Sequence, residues 1–306
     1  MIQEIAYGGW ERNLRIHDGK TELILTLDVG PRILFGAPIG GKNLFAEIPE
    51  QLGKKGEKTW QIRGGHRFWT APENDESYSP DNEPVTYRAA DRAIEITSPA
   101  TPFGWQKTLH LAAQGEGAYT VTHTLRNVGK TPLDATPWAL SVMAPGGTAI
   151  VPQPEPKLHP GDLPPGTPFT NDDFQANRRL VLWKYTHLTD PRLRAEPEYW
   201  FVEQRPNTTS FKLGLFFRDG WVAYQLGNAY FAKTVPVIEG ANYPDDGCNF
   251  ELFTNHSILE LETLAPLAPL PPGQSRTHVE NWKIGTWEKP ITNKTEADKF
   301  FQTLRG

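Results

Sequence analysis

The sequence predicts an all-β protein, a large antiparallel sandwich with few short helices. Period-two alternation of apolar and polar residues recurs along most of the chain. The 28 prolines and 27 glycines in 306 residues punctuate it with turns. Helical periodicity is almost absent, and packing sheet on sheet is the economical way to bury such alternation.

In chain order, Leu23, Leu25, Leu27 and Val29 share one face of a run that ends at Gly30-Pro31, the pattern of a half-buried strand. Further strands are expected over 85–89, 93–97, 106–111, 119–127 and 136–143. In the 119–125 segment Tyr119, Val121, His123 and Leu125 share a face, which gives His123 a structural place between sheets. From 152 to 177 the chain is too proline-dense for a central strand or a helix. This stretch reads as a loop that crosses or borders a site, in preference to an interdomain linker, because strand patterning resumes on both sides. Strands follow over 180–185, 210–217, 221–226, 249–255, 257–264 and 275–284. Residues 293–304 form a short helix. One domain over 1–306 is expected, with its core at about 10–285.

Composition narrows the function. A 38% hydrophobic and 22% charged chain is a globular one. The net charge of -5, with no basic run interleaved with aromatics, argues against nucleic acid as a partner. The single cysteine, Cys248, permits no intrachain disulfide. Neither a leader-like start nor a long apolar window is present, so a cytoplasmic protein with no membrane partner is expected. Ten tryptophans are many, and aromatic rings provide the flat platforms on which sugar rings rest.

The densest chemistry lies in Ile62-Arg63-Gly64-Gly65-His66-Arg67-Phe68-Trp69-Thr70-Ala71-Pro72-Glu73. A Gly-Gly pair is retained where the backbone needs positive φ or approaches something closely. The residues around it could grip a polar small molecule. Arg63 and Arg67 could bind an anionic group bidentately, or pair with Glu73 or Asp81. Trp69 could stack on a sugar or belong to the core, and so could Trp138. His66, Glu73 and Asp81 are metal-ligand types at a spacing that matches no standard zinc pattern, so neither metal nor cofactor is expected. A second wall is expected from the polar turn 242–249 and the strands after it, where Glu251 lies. There Leu259, Leu261 and Thr263 share one face and Glu260 and Glu262 the other.

Leu261-Glu262-Thr263, preceded by Thr254-Asn255, resembles the C-terminal part of galactose mutarotases (aldose 1-epimerases). Ile62-Arg63-Gly64-Gly65 is similar to an element of their hexose-6-phosphate branch. Residues 64–73 together with 243–251 most resemble an uncharacterised bacterial domain family of the same galactose mutarotase-like superfamily. The resemblance implies a β-supersandwich with a sugar site on its concave face, where a glutamate takes the anomeric proton and a histidine protonates the ring oxygen. Glu262 matches the base, and Arg32, after Gly30-Pro31, the sugar-binding arginine. Trp138 stands where the acid histidine is expected, and an indole cannot deliver that proton. His66 then becomes the acid, a ligand-binding group or a structural one.

Three functions are open at this point. One is an aldose 1-epimerase-like isomerase with Glu262 as base and His66 as acid, which requires the two side chains to face one cavity. The second is a carbohydrate-binding protein without turnover. The third is a glycoside-cleaving enzyme pairing Glu251 or Glu73 with Glu262. In each, Arg32, Arg63, Arg67, Trp69, Glu73, Trp138 and Glu251 are candidates to contact the sugar.

Overall fold

The computed structural model describes residues 1–206 and 208–305. Two ten-stranded sheets lie face to face, and every strand pairing within them is antiparallel. The first runs, edge to edge, through Ile2–Tyr7, Trp10–His17, Thr21–Thr26, Arg32–Pro38, Gly65–Ala71, Thr136–Met143, Leu259–Leu264, Phe250–Thr254, Phe211–Leu215 and Leu180–Leu182. The second runs through Leu193–Ala195, Tyr199–Glu203, Thr148–Pro152, Trp221–Leu226, Ala229–Thr234, Ser275–Thr286, Ala118–Asn127, Trp105–Gly115, Ala93–Thr97 and Thr86–Ala90. Between them Leu25, Ile33, Leu109, Val121, Phe231, Leu261 and Trp282 belong to the main apolar core. The helix Lys294–Arg305 docks Phe300 and Phe301 on Tyr199 and Phe201, beside that core.

The expected strands are present, and eight further ones join them: Ile2–Tyr7, Trp10–His17, Arg32–Pro38, Gly65–Ala71, Thr148–Pro152, Leu193–Ala195, Tyr199–Glu203 and Ala229–Thr234. Gly65–Ala71 is buried at all seven positions, so its sequence lacks the alternation that marks a strand with one wet face. The two glycines at its start do not face a ligand. Gly64 (φ 85°) and Gly65 (φ 73°) lie against backbone, and a Cβ added to either would sit 2.0 Å from Ala46 O or 2.3 Å from Ile33 O. No helix among the described residues is long and apolar enough to cross a membrane.

Candidate functional site

Direct register across the first sheet sets out the site. Arg67 lies opposite Leu140, Leu140 opposite Glu262, and Glu262 opposite Glu251. The neighbouring row places Lys212 opposite Phe253, Phe253 opposite Glu260, and Glu260 opposite Val142. Residues directly opposite point to the same side, so both rows face away from the partner sheet. A cavity of about 260 Å³ opens over them. Arg67, Trp69, Trp138, Lys212, Glu260 and Glu262 form its base, and Trp60, Glu73, Tyr78 and Tyr185 rise around it from the connecting segments.

Aromatic rings dominate the wall. Trp69 packs edge-on against Trp138 and Tyr78, with centroids 5.4 and 4.9 Å apart, and Trp60 lies 5.2 Å from Trp69. Arg67 stacks over Trp69 at 4.2 Å and Trp60 at 5.0 Å while its Nη2 donates to Glu260 at 2.7 Å. Its Nη1 and Nε have no protein acceptor among the described residues. Lys212 sits 4.7 Å from the Trp138 ring and 4.6 Å from that of Trp183.

The ammonium of Lys212 lies 2.7 Å from Glu251 Oε2 and 3.4 Å from Glu262 Oε2. Burial pushes the Glu262 carboxyl up to about 7; Lys212 pulls it back and Glu260 adds to the rise. Burial also pushes Glu251 well above the carboxylate range. On Lys212, burial works to remove the proton, but Glu262 and Glu251 outweigh it and raise the ammonium. The three groups therefore hold a shared proton inventory that changes near neutral pH.

The structure separates the residues expected in the site. Glu262, Arg67, Trp69, Glu73 and Trp138 line the cavity. Glu251 shares the face of Glu262 but does not line the cavity; Lys212 stands on it at 2.7 Å, so it does not face a bound sugar across from Glu262. Arg32 is fully buried; it donates to Ile62 O and Gly64 O and pairs with Asp81 at 2.9 Å, pinning the Gly-Gly segment. Arg63, at φ 52°, turns away and donates to Gln51 O and Asn82 Oδ1, with Glu57 as its ion-pair partner. Neither arginine reaches the cavity. No residue of 152–177 lines it, so the proline-rich loop does not border the site; Tyr185, just beyond, does. Lys212, Glu260, Trp60, Tyr78 and Tyr185 were not picked out as site residues from sequence. Lys212 stands inside the apolar run Phe211–Leu215, and only the absence of an apolar partner for a mid-strand lysine could have marked it.

His66 is on the opposite face from Arg67 and points between the sheets, so it does not share a cavity with Glu262. Its pairing with Glu262 as acid and base fails. Its place is a closed hydrogen-bond chain whose protons follow from the acceptors. His123 Nδ1 faces the carbonyl of His278 at 3.2 Å and must donate to it. His123 Nε2 is then an acceptor, so the 2.7 Å contact is a donation from His66 Nε2. His66 Nδ1 in turn accepts from Ser141 Oγ at 2.9 Å, and Ser141 accepts from Lys233 Nζ at 3.2 Å. Lys233 also donates to Leu261 O and to Glu280 Oε1 at 2.7 Å. Trp282 Nε1 donates to Glu280 Oε2 at 2.8 Å, and the hydroxyl of Thr263 donates to Oε1. Burial holds His66 well below its ordinary range and His278 at about 3, so the rings are neutral.

His66, His123 and Glu280 offer ligand atoms within 4.8 Å of one another. Two nitrogens bound to one tetrahedral zinc would stand about 3.3 Å apart. The 2.7 Å separation fits a proton, and Glu280 is already saturated by Lys233, Thr263 and Trp282. Glu73 is at the cavity wall and Asp81 on Arg32, so the His66, Glu73 and Asp81 set does not assemble.

No family model matches the chain, and no curated protein matches it. Solved structures do. The Slr1438 protein of Synechocystis aligns with a TM-score of 0.57 at 12% identity, over 93% of this chain and 100% of that one. A candidate aldose 1-epimerase from Klebsiella pneumoniae aligns with a TM-score of 0.58 at 11% identity, over 99% and 86%. A galactose mutarotase-like protein from Lactobacillus casei gives 0.51 at 8% identity, over 89% and 99%. With this topology, the chain has the galactose mutarotase-like fold.

Proposed function

We propose that the protein binds a neutral aldose in the aromatic cavity and interconverts its anomers, with Glu262 as the base. The carrying observation is a buried carboxyl poised near neutrality beside a fixed ammonium, under aromatic walls of sugar size. A general base works best when its pKa lies near the operating pH.

In this reading the Glu262 carboxylate takes the proton of the anomeric hydroxyl. The C1–O5 bond breaks, its electron pair passes to the ring oxygen, and the Lys212 ammonium supplies the proton there. Protonating Glu262 removes a negative charge that held the Lys212 proton, so the two transfers assist each other. Rotation at C1 and the reverse transfers close the other anomer. The fold supports a sugar-related role through its structural neighbours, but fold alone does not choose a reaction.

A neutral sugar is favoured because each cavity cation already faces a carboxylate: Arg67 faces Glu260, and Lys212 faces Glu251 and Glu262, with Glu73 in excess. A phosphate or uronate would enter a site of net negative charge. A second reading, binding without turnover, is favoured by the lack of any histidine in the cavity lining.

Polarimetry on freshly dissolved α-glucose and α-galactose separates the two. Turnover by the wild type that falls about 100-fold or more in Glu262→Gln supports isomerisation. No acceleration over buffer across a panel of neutral hexoses, with saturable quenching of tryptophan fluorescence, leaves a binding protein.

A further inference from the structure

A second pocket, of about 390 Å³, opens at the end of the sandwich between Gly30-Pro31, the 79–83 segment and the 98–103 loop. It shares no lining residue with the sugar cavity. Pro31, Pro80, Pro99, Pro102 and Phe103 give it apolar walls. At its base stands Lys107, on the strand Trp105–Gly115 and only 6% exposed, pointing inward with Trp105 and Leu109.

A buried ammonium ordinarily has a counter-ion or several acceptors. Among the described residues, Lys107 Nζ has no hydrogen-bond or ion-pair partner; the Phe68 ring lies 5.6 Å from it, centroid to nitrogen. The one carboxylate that pulls on it, Asp81, gives Oδ2 to Arg32 at 2.9 Å; its Oδ1 is unpartnered among the described residues, and Asp81 and Glu83 both line the pocket without coming within ion-pair reach of the ammonium. An amine left without partners in an apolar pocket is a nucleophile awaiting an electrophile.

We propose that this pocket is a second ligand site, in which the Lys107 amine captures a small apolar aldehyde as a Schiff base. The nitrogen lone pair adds to the carbonyl carbon. The carbonyl oxygen then leaves as water with the two amine hydrogens, and a carbon–nitrogen double bond remains. Proline and phenylalanine walls receive the apolar body, and among the described residues neither Asp81 nor Glu83 of the lining forms an ion pair with the nitrogen. Burial lowers the amine to about 8, with Arg67 and Arg32 adding to the effect against Asp81. At pH 7 roughly a tenth of such an amine is neutral, against less than a thousandth for an exposed lysine.

The test uses the full chain with benzaldehyde and cyanoborohydride, which reduces the imine to a stable amine, followed by tryptic peptide mapping. Lys107 is expected to be labelled at least about tenfold faster than exposed Lys42 and Lys130 at pH 7.5. Its rate should level off above about pH 8. In urea the preference should vanish, because it depends on the fold. Labelling of Lys107 no faster than of the exposed lysines, or a preference that survives unfolding, overturns the proposal.

Discussion

Lys212 Nζ lies 3.4 Å from the Glu262 carboxylate, so the charge of one sets the protonation of the other. Its ammonium lowers the Glu262 carboxyl against the upward push of burial. The anomer-exchange rate is therefore expected to rise with pH through about 7, as Glu262 loses its proton. In Lys212→Met the rate should fall about 100-fold or more, because the acid for the ring oxygen is gone, and the residual rise should move to higher pH, because the group that favours the carboxylate is gone as well. A rate profile by polarimetry between pH 5 and 9 reads both; an unmoved inflection would detach Lys212 from Glu262.

Glu262→Gln should be well tolerated by the fold at pH 8. A carboxyl whose folded pKa is raised to about 7 lends stability only while it is protonated, and that is lost as pH rises through 7. The amide carries no charge to desolvate, and Lys212 keeps Glu251 as its partner. A change within about 1 kcal/mol in urea unfolding is expected. A large destabilisation would make Glu262 a structural ion-pair member.

His66→Ala should do the opposite. It leaves His123 Nε2 without its donor and Ser141 without its acceptor in a dry interior. A loss of about 2–4 kcal/mol is expected, with the rate per folded molecule unchanged, since the ring does not reach the cavity. Chemical denaturation read beside polarimetry separates these outcomes, and a selective loss of rate would return His66 to the reaction.

The same interior predicts acid sensitivity. His66, His123 and His278 have folded pKa values depressed by burial, with His278 at about 3. The unfolded chain binds protons at these rings from about pH 6.5 downward, where the folded one does not. Their stabilising effect is complete above pH 6.5 and is lost as pH falls toward 3. A melting temperature that drops steadily between pH 6.5 and 4 is the expected record. His278→Gln should flatten that slope.

Gly65→Ala should destabilise by about 2 kcal/mol or more, since it combines a φ of 73° with a Cβ placed 2.3 Å from Ile33 O. Thermal unfolding checks this. A neutral result would mean that the strand entry shifts freely.

Much of the fold was legible because strands with one apolar face announce themselves. Leu259–Leu264 is the clear case: its alternation correctly put Glu260 and Glu262 together on the face away from Leu261. Gly65–Ala71 was opaque for the converse reason. Both its faces are buried and both carry polar groups, so nothing in its sequence says that His66 looks inward and Arg67 outward. That one ambiguity left His66 open between an acid, a ligand-binding group and a structural one. Arg32 and Arg63 misled because an arginine that binds carbonyl oxygens of its own chain looks, in sequence, like one that waits for a ligand. Trp60 and Tyr185 reach the cavity from outside the strands, where no periodicity records direction.

The central strands Gly65–Ala71, Thr136–Met143 and Leu259–Leu264 present a cavity-lining face outward and a saturated polar lattice inward, with neighbours such as Glu262 and Thr263 on opposite sides. Removing a single residue from any of them would exchange the two surfaces, burying carboxylates among the histidines and exposing the lattice to solvent. Such strands can change by substitution but not by length. Insertions and deletions have room only in the outer loops, so any divergence in what the cavity accepts must be written there or in single side chains.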